Sequence, residues 1–182
     1  MVTAEENRLR EELLVVRCQL GENAAFEELI RTWSPALLAH LRRVAGSQAA
    51  DDLAQDVWIR MLRAIASLRE GAKLKPWLFG IAHHVMMDHL RLRYAQADVQ
   101  GWASDTGQEE FGEREELLSL LEARLAALPV TERETLTLFY LEDLSLAEIG
   151  RVQGVPEGTV KSRLFRARNQ LRAAMPDQGE AS

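Results

Sequence analysis

The sequence is short of cysteine, of aromatic residues and of long apolar runs. Cys18 is the only cysteine among 182 residues, which excludes an intrachain disulfide framework and a zinc site built from several cysteines. Aromatic residues make up only 6% of the chain, so its cores must consist mainly of Leu, Ala, Val and Ile. No stretch approaches about 18 consecutive apolar residues, and the charged N-terminal residues lack the apolar region of a signal peptide. We therefore expect a cytoplasmic protein without a membrane span.

Alternation of apolar and polar residues, which marks half-buried strands, is also rare. Apolar residues instead recur at helical spacing along nearly the whole chain. Glycines, small polar residues and acids interrupt this pattern before the last third of the sequence. The pattern predicts an all-α protein of two small helical domains, residues 1–95 and 113–176, joined by a flexible acidic linker, residues 96–112, and followed by a tail, residues 177–182.

The net charge of −6 is unevenly distributed. Residues 98–148 contain 13 acidic and 3 basic residues, so the rest of the chain carries a net charge of +4. Two basic segments flank this acidic middle: residues 67–93 have 5 basic and 2 acidic residues, and residues 157–175 have 5 basic and 1 acidic. Because salt screens fields beyond about 8–10 Å, such patches matter more than net charge for binding a polyanion.

Two segments near the C-terminus have the form of helix-capping boxes, Thr131–Glu134 and Ser145–Glu148. In such a box a Ser or Thr caps a backbone N–H, and a Glu three residues later reaches back. The second box is expected to open a short helix, which a turn at Gly154 separates from a longer basic helix. A short helix, a tight turn and a longer basic helix are typical of the helix-turn-helix DNA-binding motif.

The last predicted helix includes the sequence VPEGTVKSRLFRAR, residues 155–168. A helical wheel places Val160, Leu164 and Ala167 in an apolar seam, with a polar face opposite. Phe165 falls on that polar face, where an aromatic ring costs solubility unless it packs on a partner such as a thymine methyl group. A solvated cationic helix is the alternative interpretation, because basic side chains alone do not specify DNA.

Several motifs, in order along the chain, resemble those of one family. ALPVTERETLTLFYLEDLSLAEIGRVQGVPEGTVKSRLFRARNQLR, residues 127–172, resembles region 4 of an extracytoplasmic-function (ECF, group IV) sigma factor of the sigma-70 family. GENAAFEELIRTWSPALLAHLRRV, residues 21–44, and DDLAQDVWIRMLRAI, residues 51–65, are similar to helices of region 2. KPWLFGIAHHVMMDHLRLR, residues 75–93, is similar to the segment that recognises the promoter −10 element.

The resemblance implies a protein that is not an enzyme and needs no cofactor. It would bind core RNA polymerase, direct it to a promoter and help to melt the DNA. The C-terminal domain would dock on the polymerase β flap and place its last helix in the major groove of the −35 duplex. The implied −35 residues are Thr159, Lys161, Ser162, Arg163, Phe165, Arg166 and Arg168.

The N-terminal domain would recognise the −10 element on a melted strand. That task needs a cationic track and a pocket for a flipped base, for which the loop of residues 67–75 is the candidate. The implied −10 residues are Arg69, Lys73, Lys75, His83, His84, Arg91 and Arg93. The implied polymerase-binding residues, on the face that would meet the β′ clamp helices, are Asp52, Gln55 and Asp56. The family resemblance also implies an anti-sigma factor that wedges between the two domains.

Other functions fit the sequence less well. The histidines His83, His84 and His89 lack i, i+4 spacing and have no neighbouring cysteine, so no metal site is expected. A helix-turn-helix repressor or activator that binds DNA as a dimer is the first rival, because TERETLTLFYLEDLSLAEIG also resembles LuxR-type regulators. A helical enzyme using His83, His84 and Asp88 is the second, although the chain has no nucleophile elbow or P-loop.

Overall fold

The computed structural model describes residues 4–69, 71–97 and 122–174, and within these ranges every regular element is helical. Seven α-helices are named here in chain order: α1 Ala4–Gln19, α2 Asn23–Ala45, α3 Ser47–Ala64, α4 Leu74–Ala97, α5 Val130–Tyr140, α6 Leu146–Gln153 and α7 Glu157–Ala174. Short 3-10 turns at Ile65–Ser67 and Gly71–Lys73 connect α3 to α4, and residues 122–126 are also helical. The all-α fold predicted from apolar spacing is confirmed. Most of the predicted linker lies outside the described residues.

Helices α1 to α4 form the N-terminal half around one apolar core. Leu29 and Leu41 of α2, Val57 and Met61 of α3, and Leu78 of α4 are almost completely buried there. Helix α2 continues through Pro35 without a break. It ends at Gly46, which has a positive φ.

Helices α5 to α7 form the C-terminal half. The capping box of α6 is present as predicted: the backbone N–H of Glu148 donates to the Ser145 hydroxyl, and the Ser145 backbone N–H donates to the Glu148 carboxylate at 2.9 Å. Gly154 then adopts φ +64°, which lets the chain turn sharply into α7. The Cα of Gly150 faces the Val155 carbonyl so closely that a Cβ there would lie 2.8 Å from its oxygen. The helix-turn-helix turn is therefore built on two glycines.

The capping box expected at Thr131–Glu134 does not form. Thr131 does not cap a helix, because α5 already begins at Val130 and its N-cap position, Pro129, has no side-chain hydrogen bond. Glu134, the other end of the expected box, points into the interior instead and is completely buried. The error comes from treating Glu134 as part of a local motif when its environment is set by packing.

The two halves pack directly against each other through α4 with α6 and α2 with α5. Phe79 of α4 is fully buried in the apolar cluster of the C-terminal half, beside Leu138 and Ile149. Arg133 of α5 donates hydrogen bonds across the boundary to the Val44 carbonyl at the end of α2. The described residues thus form one packed body in which Phe79 of the N-terminal half is part of the interior of the C-terminal half.

Candidate nucleic-acid interface

The outward side of α7 presents an aromatic ring among polar residues. Val160, Leu164 and Ala167 are buried against α5 and α6, which confirms the apolar seam predicted from the wheel. Phe165 is 66% exposed. A cleft of about 630 Å³ runs beside this ring. Eight residues line it, among them Phe165 and Lys161. Helix α7 therefore offers a cationic, partly apolar surface of the kind that can enter a DNA groove.

Three polar residues of this face are held by contacts within the C-terminal half. The Lys161 ammonium lies 2.9 Å from a Glu157 carboxylate oxygen one turn earlier. The Ser162 hydroxyl donates to the Gly158 carbonyl at 3.0 Å. The Arg166 Nε donates to the Glu132 carboxylate at 2.7 Å, and the Glu132 side chain is buried. These contacts orient the side chains, but Lys161 and Arg166 remain more than half exposed.

Arg163 and Arg168 lie at the edges of the same face, and Thr159 is half-buried near its start. Arg163 donates to the side-chain oxygen of Gln153 at 2.7 Å, which ties α7 to α6. The Arg168 guanidinium stacks over the rings of Phe139 and Tyr140 at 5.9 and 5.5 Å from their centroids. All seven residues predicted for −35 contact are thus on one helix. Arg163 and Arg168 are partly committed to internal contacts.

A second cleft, of about 480 Å³, opens beside the start of α4. Leu68, Trp77 and Ile81 supply apolar walls, and Lys73 and His84 line the same space. Two further cations that line it were not singled out in the sequence, Arg60 of α3 and Arg151 of α6. An apolar slot bordered by cations suits a flat, anionic ligand segment such as an unstacked nucleotide.

The other residues predicted for the −10 element are divided between two locations. Arg69 precedes the cleft, and Arg91 and Arg93 lie farther along α4; all three are exposed. The Arg91 guanidinium lies 3.3 Å from Asp88. Lys75 and His83 instead face the C-terminal half. The structure therefore brings Lys73 and His84 together at the cleft but does not bring all seven residues into one track.

Lys75, Phe79 and His83 follow one another at four-residue spacing along a single side of α4. The Lys75 Nζ lies 3.8 Å from the Glu142 carboxylate. The His83 Nδ1 lies 2.9 Å from both carboxylate oxygens of Glu134, within hydrogen-bond distance of each. Burial raises the pKa of Glu142, and the neighbouring Lys75 opposes that shift. We refer to Lys75, Phe79 and His83 as the α4 stripe.

Burial has its largest electrostatic effect at His40, which lies next to the α4 stripe. The His40 ring is completely buried in α2 and packs edge-to-face on Phe79, with centroids 5.0 Å apart. Neither ring nitrogen has a hydrogen-bond partner among the described residues. The pKa of His40 is lowered to about 4, chiefly by burial; Glu134 opposes the shift, and Arg43 and His83 contribute to it. His40 is therefore a neutral core residue at neutral pH.

Asp52, Gln55 and Asp56 are all exposed on the outer side of α3. The inner side of the same helix carries Leu53 and Val57, both buried. The predicted polymerase-binding residues therefore form a polar patch supported by a packed helix. Such a patch is available to a partner without any change in the fold.

The described residues contain no group of three or more His, Cys, Asp or Glu side chains arranged to hold a metal ion. None of the described helices is long and apolar enough to cross a bilayer.

Two family models match this chain at the positions of the two halves. The Sigma-70 region 2 model matches residues 29–95, and the Sigma-70, region 4 model matches residues 118–171. The RNA polymerase sigma-H factor of Pseudomonas aeruginosa is 30% identical over 190 residues, which cover 96% of each chain. The chain belongs to the ECF sigma factors of the sigma-70 family.

Other relatives and structures agree with this membership. The ECF RNA polymerase sigma factor SigW of Bacillus subtilis is 29% identical to this sigma factor over 86% of the chain and 92% of its own length. The sigma factor RpoE of Bartonella quintana, solved with the anti-sigma factor NepR, has a TM-score of 0.70 and 25% identity over 85% of this chain and 98% of its own. CnrH, solved with the cytosolic domain of CnrY, shares the fold, with a TM-score of 0.68 and 23% identity over 90% of this chain and 95% of its own.

Family membership settles the general activity. The sigma factor binds core RNA polymerase and promoter DNA and directs promoter-specific initiation; it is a regulatory subunit and not an enzyme. Sequence reasoning missed Glu134, Glu142 and Arg151 as neighbours of α4. Only the four-residue spacing of the α4 stripe hinted that one side of α4 meets a partner.

Proposed function

We propose that this sigma factor reads promoters with two separate surfaces, one in each half. The C-terminal domain, residues 113–176, docks on the polymerase β flap and inserts α7 into the major groove of the −35 element. Lys161, Ser162, Phe165 and Arg166 face the base edges, and Thr159, Arg163 and Arg168 lie toward the backbone. The observation that carries this assignment is the exposed Phe165 ring on an otherwise polar, cationic face.

The N-terminal domain, residues 1–95, binds the non-duplex −10 strand at the 480 Å³ cleft. Trp77 is half-buried and lines that cleft, so its ring can stack on an unpaired base while its other side packs on the core. Lys73 and His84 border the base, and Arg69, Arg91 and Arg93 continue the cationic track for phosphates. Lys75 and His83 join this track only once the C-terminal half has moved away.

Polymerase recognition is assigned to the outer side of α3. Asp52, Gln55 and Asp56 are exposed together on a helix whose opposite side is firmly packed. We assign this patch to the β′ clamp helices, with the linker, residues 96–112, connecting the two domains on polymerase. The two promoter-reading surfaces then act additively, because polymerase holds both of them near the same DNA at a high effective concentration.

An anti-sigma factor is proposed as a regulatory partner, and the cytoplasm as the place of action. The support is the similarity to RpoE of Bartonella quintana, which was solved in complex with the anti-sigma factor NepR. The cleft beside α4 receives Arg151 from the C-terminal half as well as residues of the N-terminal half. A protein that fills this cleft would contact both halves at once.

Run-off transcription tests the proposed function. Purified core polymerase with this sigma factor should start at discrete sites that share a −35/−10 pair, whereas core polymerase alone should not. The free protein should bind the same promoter DNA only weakly, because each reader contacts few base pairs. Tight sequence-specific binding by the free chain as a dimer, without specific starts, would instead identify a helix-turn-helix repressor or activator.

A further inference from the structure

Helix α1 carries a second apolar face on the side opposite the core. Its inner side is buried against the rest of the N-terminal half through Leu14, Val15 and Cys18. On the other side four apolar residues are between 49% and 75% exposed: Leu9, Leu13, Val16 and Leu20. Leu20 follows the last residue of α1, but its backbone N–H donates to the Val16 carbonyl at 3.0 Å, so it keeps its place in the helical pattern. We refer to these four residues as the outer face of α1.

The spacing of the outer face is that of a coiled coil. Its residues are four, three and four positions apart, which is the alternation of the d and a positions of a heptad. A single exposed leucine needs no explanation, but a continuous apolar stripe over about three turns marks a surface that meets a partner. The residues assigned above to DNA and to polymerase lie outside α1. The proposed function therefore does not account for this face.

The charged residues that border the outer face indicate which partner fits it. Glu5 and Glu12 occupy g positions of the heptad on one edge, and Arg10 and Arg17 occupy e positions on the other. In two parallel helices in register, each g residue faces the e residue five positions later on the partner helix. A second copy of this chain would therefore set Glu5 against Arg10, and Glu12 against Arg17, with each pair formed twice by symmetry. Antiparallel copies would instead bring g positions to g positions and e to e, which opposes like charges.

A second copy would meet a helix that is already folded. An isolated helix of 16 residues is marginal in water, because the cost of ordering the chain opposes it. Helix α1 is held by the N-terminal half instead. The Gln19 side-chain amide, for example, donates to the Ile65 and Leu68 carbonyls at 3.0 and 2.7 Å. Pairing of two α1 helices therefore needs only to bury the outer face.

We propose that this sigma factor forms a homodimer through the outer face of α1, with the two α1 helices parallel and in register. Each chain contributes the same surface, so the contact closes at two copies. Glu5 of each chain pairs with Arg10 of the other copy, and both residues are exposed. Arg17 contributes less, because its guanidinium already lies 2.8 Å from Glu22 and 3.0 Å from Glu28 of its own chain.

Sedimentation equilibrium of the full chain tests the proposal. The wild type should pass from monomer to dimer as its concentration rises. Leu13→Ser should shift this transition to a concentration higher by about tenfold or more, because it removes a central apolar contact from both copies. Leu92→Ser is the matched control, because Leu92 on α4 is 64% exposed and Leu13 is 60% exposed, and it should leave the transition unchanged. Circular dichroism should show the same helical content in all three proteins.

Exchange of charges tests the identity of the partner. Glu5→Arg and Arg10→Glu should each weaken the dimer several-fold, because each opposes like charges at two symmetric sites. An equal mixture of the two variants should regain the wild-type affinity, because each variant supplies the charge that the other one lacks. General hydrophobic aggregation would not show this recovery.

A disulfide tests the orientation of the two helices. In parallel copies position 9 faces itself, so Leu9→Cys in a Cys18→Ala background should form an intermolecular disulfide with a mild oxidant. Leu92→Cys in the same background should not. A wild type that stays monomeric, a Leu13→Ser variant that dimerises like the wild type, or a mixture of charge variants that stays weak would overturn the proposal. A monomeric wild type together with loss of polymerase co-purification by Leu13→Ser would assign the outer face to polymerase instead.

Discussion

The His83 ring and the Glu134 carboxylate join the two halves of the sigma factor at a distance of 2.9 Å. Glu134 has no exposure to solvent in this arrangement, so its charge depends on donors that the protein supplies. One of these donors, Gln153, belongs to the C-terminal half, and the other comes from α4. The position of α4 is thus coupled to the interior of the C-terminal half. Substitutions on α7 can be judged only when binding effects are separated from effects on folding.

Substitutions of two adjacent residues of α7 should separate effects on binding from effects on folding. Leu164 is 4% exposed and Phe165 is 66% exposed on the same turn. Leu164→Ala should cost about 2–4 kcal/mol of unfolding free energy, because it leaves a cavity in the C-terminal core. Phe165→Ala should change stability by less than about 0.5 kcal/mol yet lower specific transcription several-fold. Urea unfolding and run-off transcription measure the two effects. Full transcription by Phe165→Ala would remove the ring from the promoter-reading surface.

Comparison of these two residues with Glu134 shows what the sequence could predict. The seam of α7 was predictable, because helical periodicity is a local property and the seam needs only some apolar neighbour. Glu134 was misassigned to a capping box, because the pattern Thr-x-x-Glu does not reveal that the N-cap position of α5 is Pro129, two residues before Thr131. Its real partners lie on two other helices. His83 is on α4, far away in sequence, and Gln153 is on α6, the next helix along the chain. Pairings of that kind follow from packing, which single-sequence patterns do not encode.

The outer side of α3 should carry polymerase binding without contributing to stability. Asp56→Arg reverses the charge at the centre of the patch formed with Asp52 and Gln55, all exposed. We expect it to abolish co-purification with core polymerase while the thermal unfolding curve stays unchanged. Gln48→Arg adds the same side chain at another exposed position of α3 and should bind normally. Normal binding by Asp56→Arg would exclude this face from the interface with β′.

His40 should make the protein sensitive to acid. Its folded pKa is about 4, whereas an unfolded histidine has a pKa near 6.5. The unfolded chain therefore binds more protons between these values, and stability should fall as the pH drops from about 6.5 to 4, by up to about 3 kcal/mol. His40→Leu should remove this part of the pH dependence and raise stability at pH 7, because no unpartnered ring nitrogens remain buried. His40→Gln should remove the titration without that gain. An unchanged difference between pH 7 and pH 5 in urea unfolding of both variants would show that His40 does not titrate as described.

The turn before α7 should tolerate almost no side chain at Gly150. A Cβ there would lie 2.8 Å from the Val155 carbonyl oxygen. Because the position of a Cβ is fixed by its own backbone and the oxygen is a backbone atom, no rotamer change can relieve the clash. Gly150→Ala should therefore destabilise the C-terminal half by about 1–3 kcal/mol. Gly158→Ala is the control, because nothing lies within 4 Å of the position that its methyl group would take and alanine favours a helix. Thermal unfolding compares the two. Equal stability of Gly150→Ala and the wild type would mean that the turn can relax.

Substitution of Arg166 should show whether this side chain reads a base or contacts a phosphate. Its Nε donates to Glu132 at 2.7 Å, and the side chain remains half-exposed, so its terminal nitrogens are available to a partner. If these nitrogens read a guanine, Arg166→Ala should cost about 1–3 kcal/mol of binding and relax specificity at one base pair of the −35 element. Arg172→Ala, at an exposed position farther along α7, should leave the specificity unchanged. Run-off transcription on a set of −35 substitutions measures both, with unfolding checked because Glu132 loses its partner. An equal loss on every −35 sequence would assign Arg166 to a phosphate and leave Lys161, Ser162 and Phe165 as the base readers.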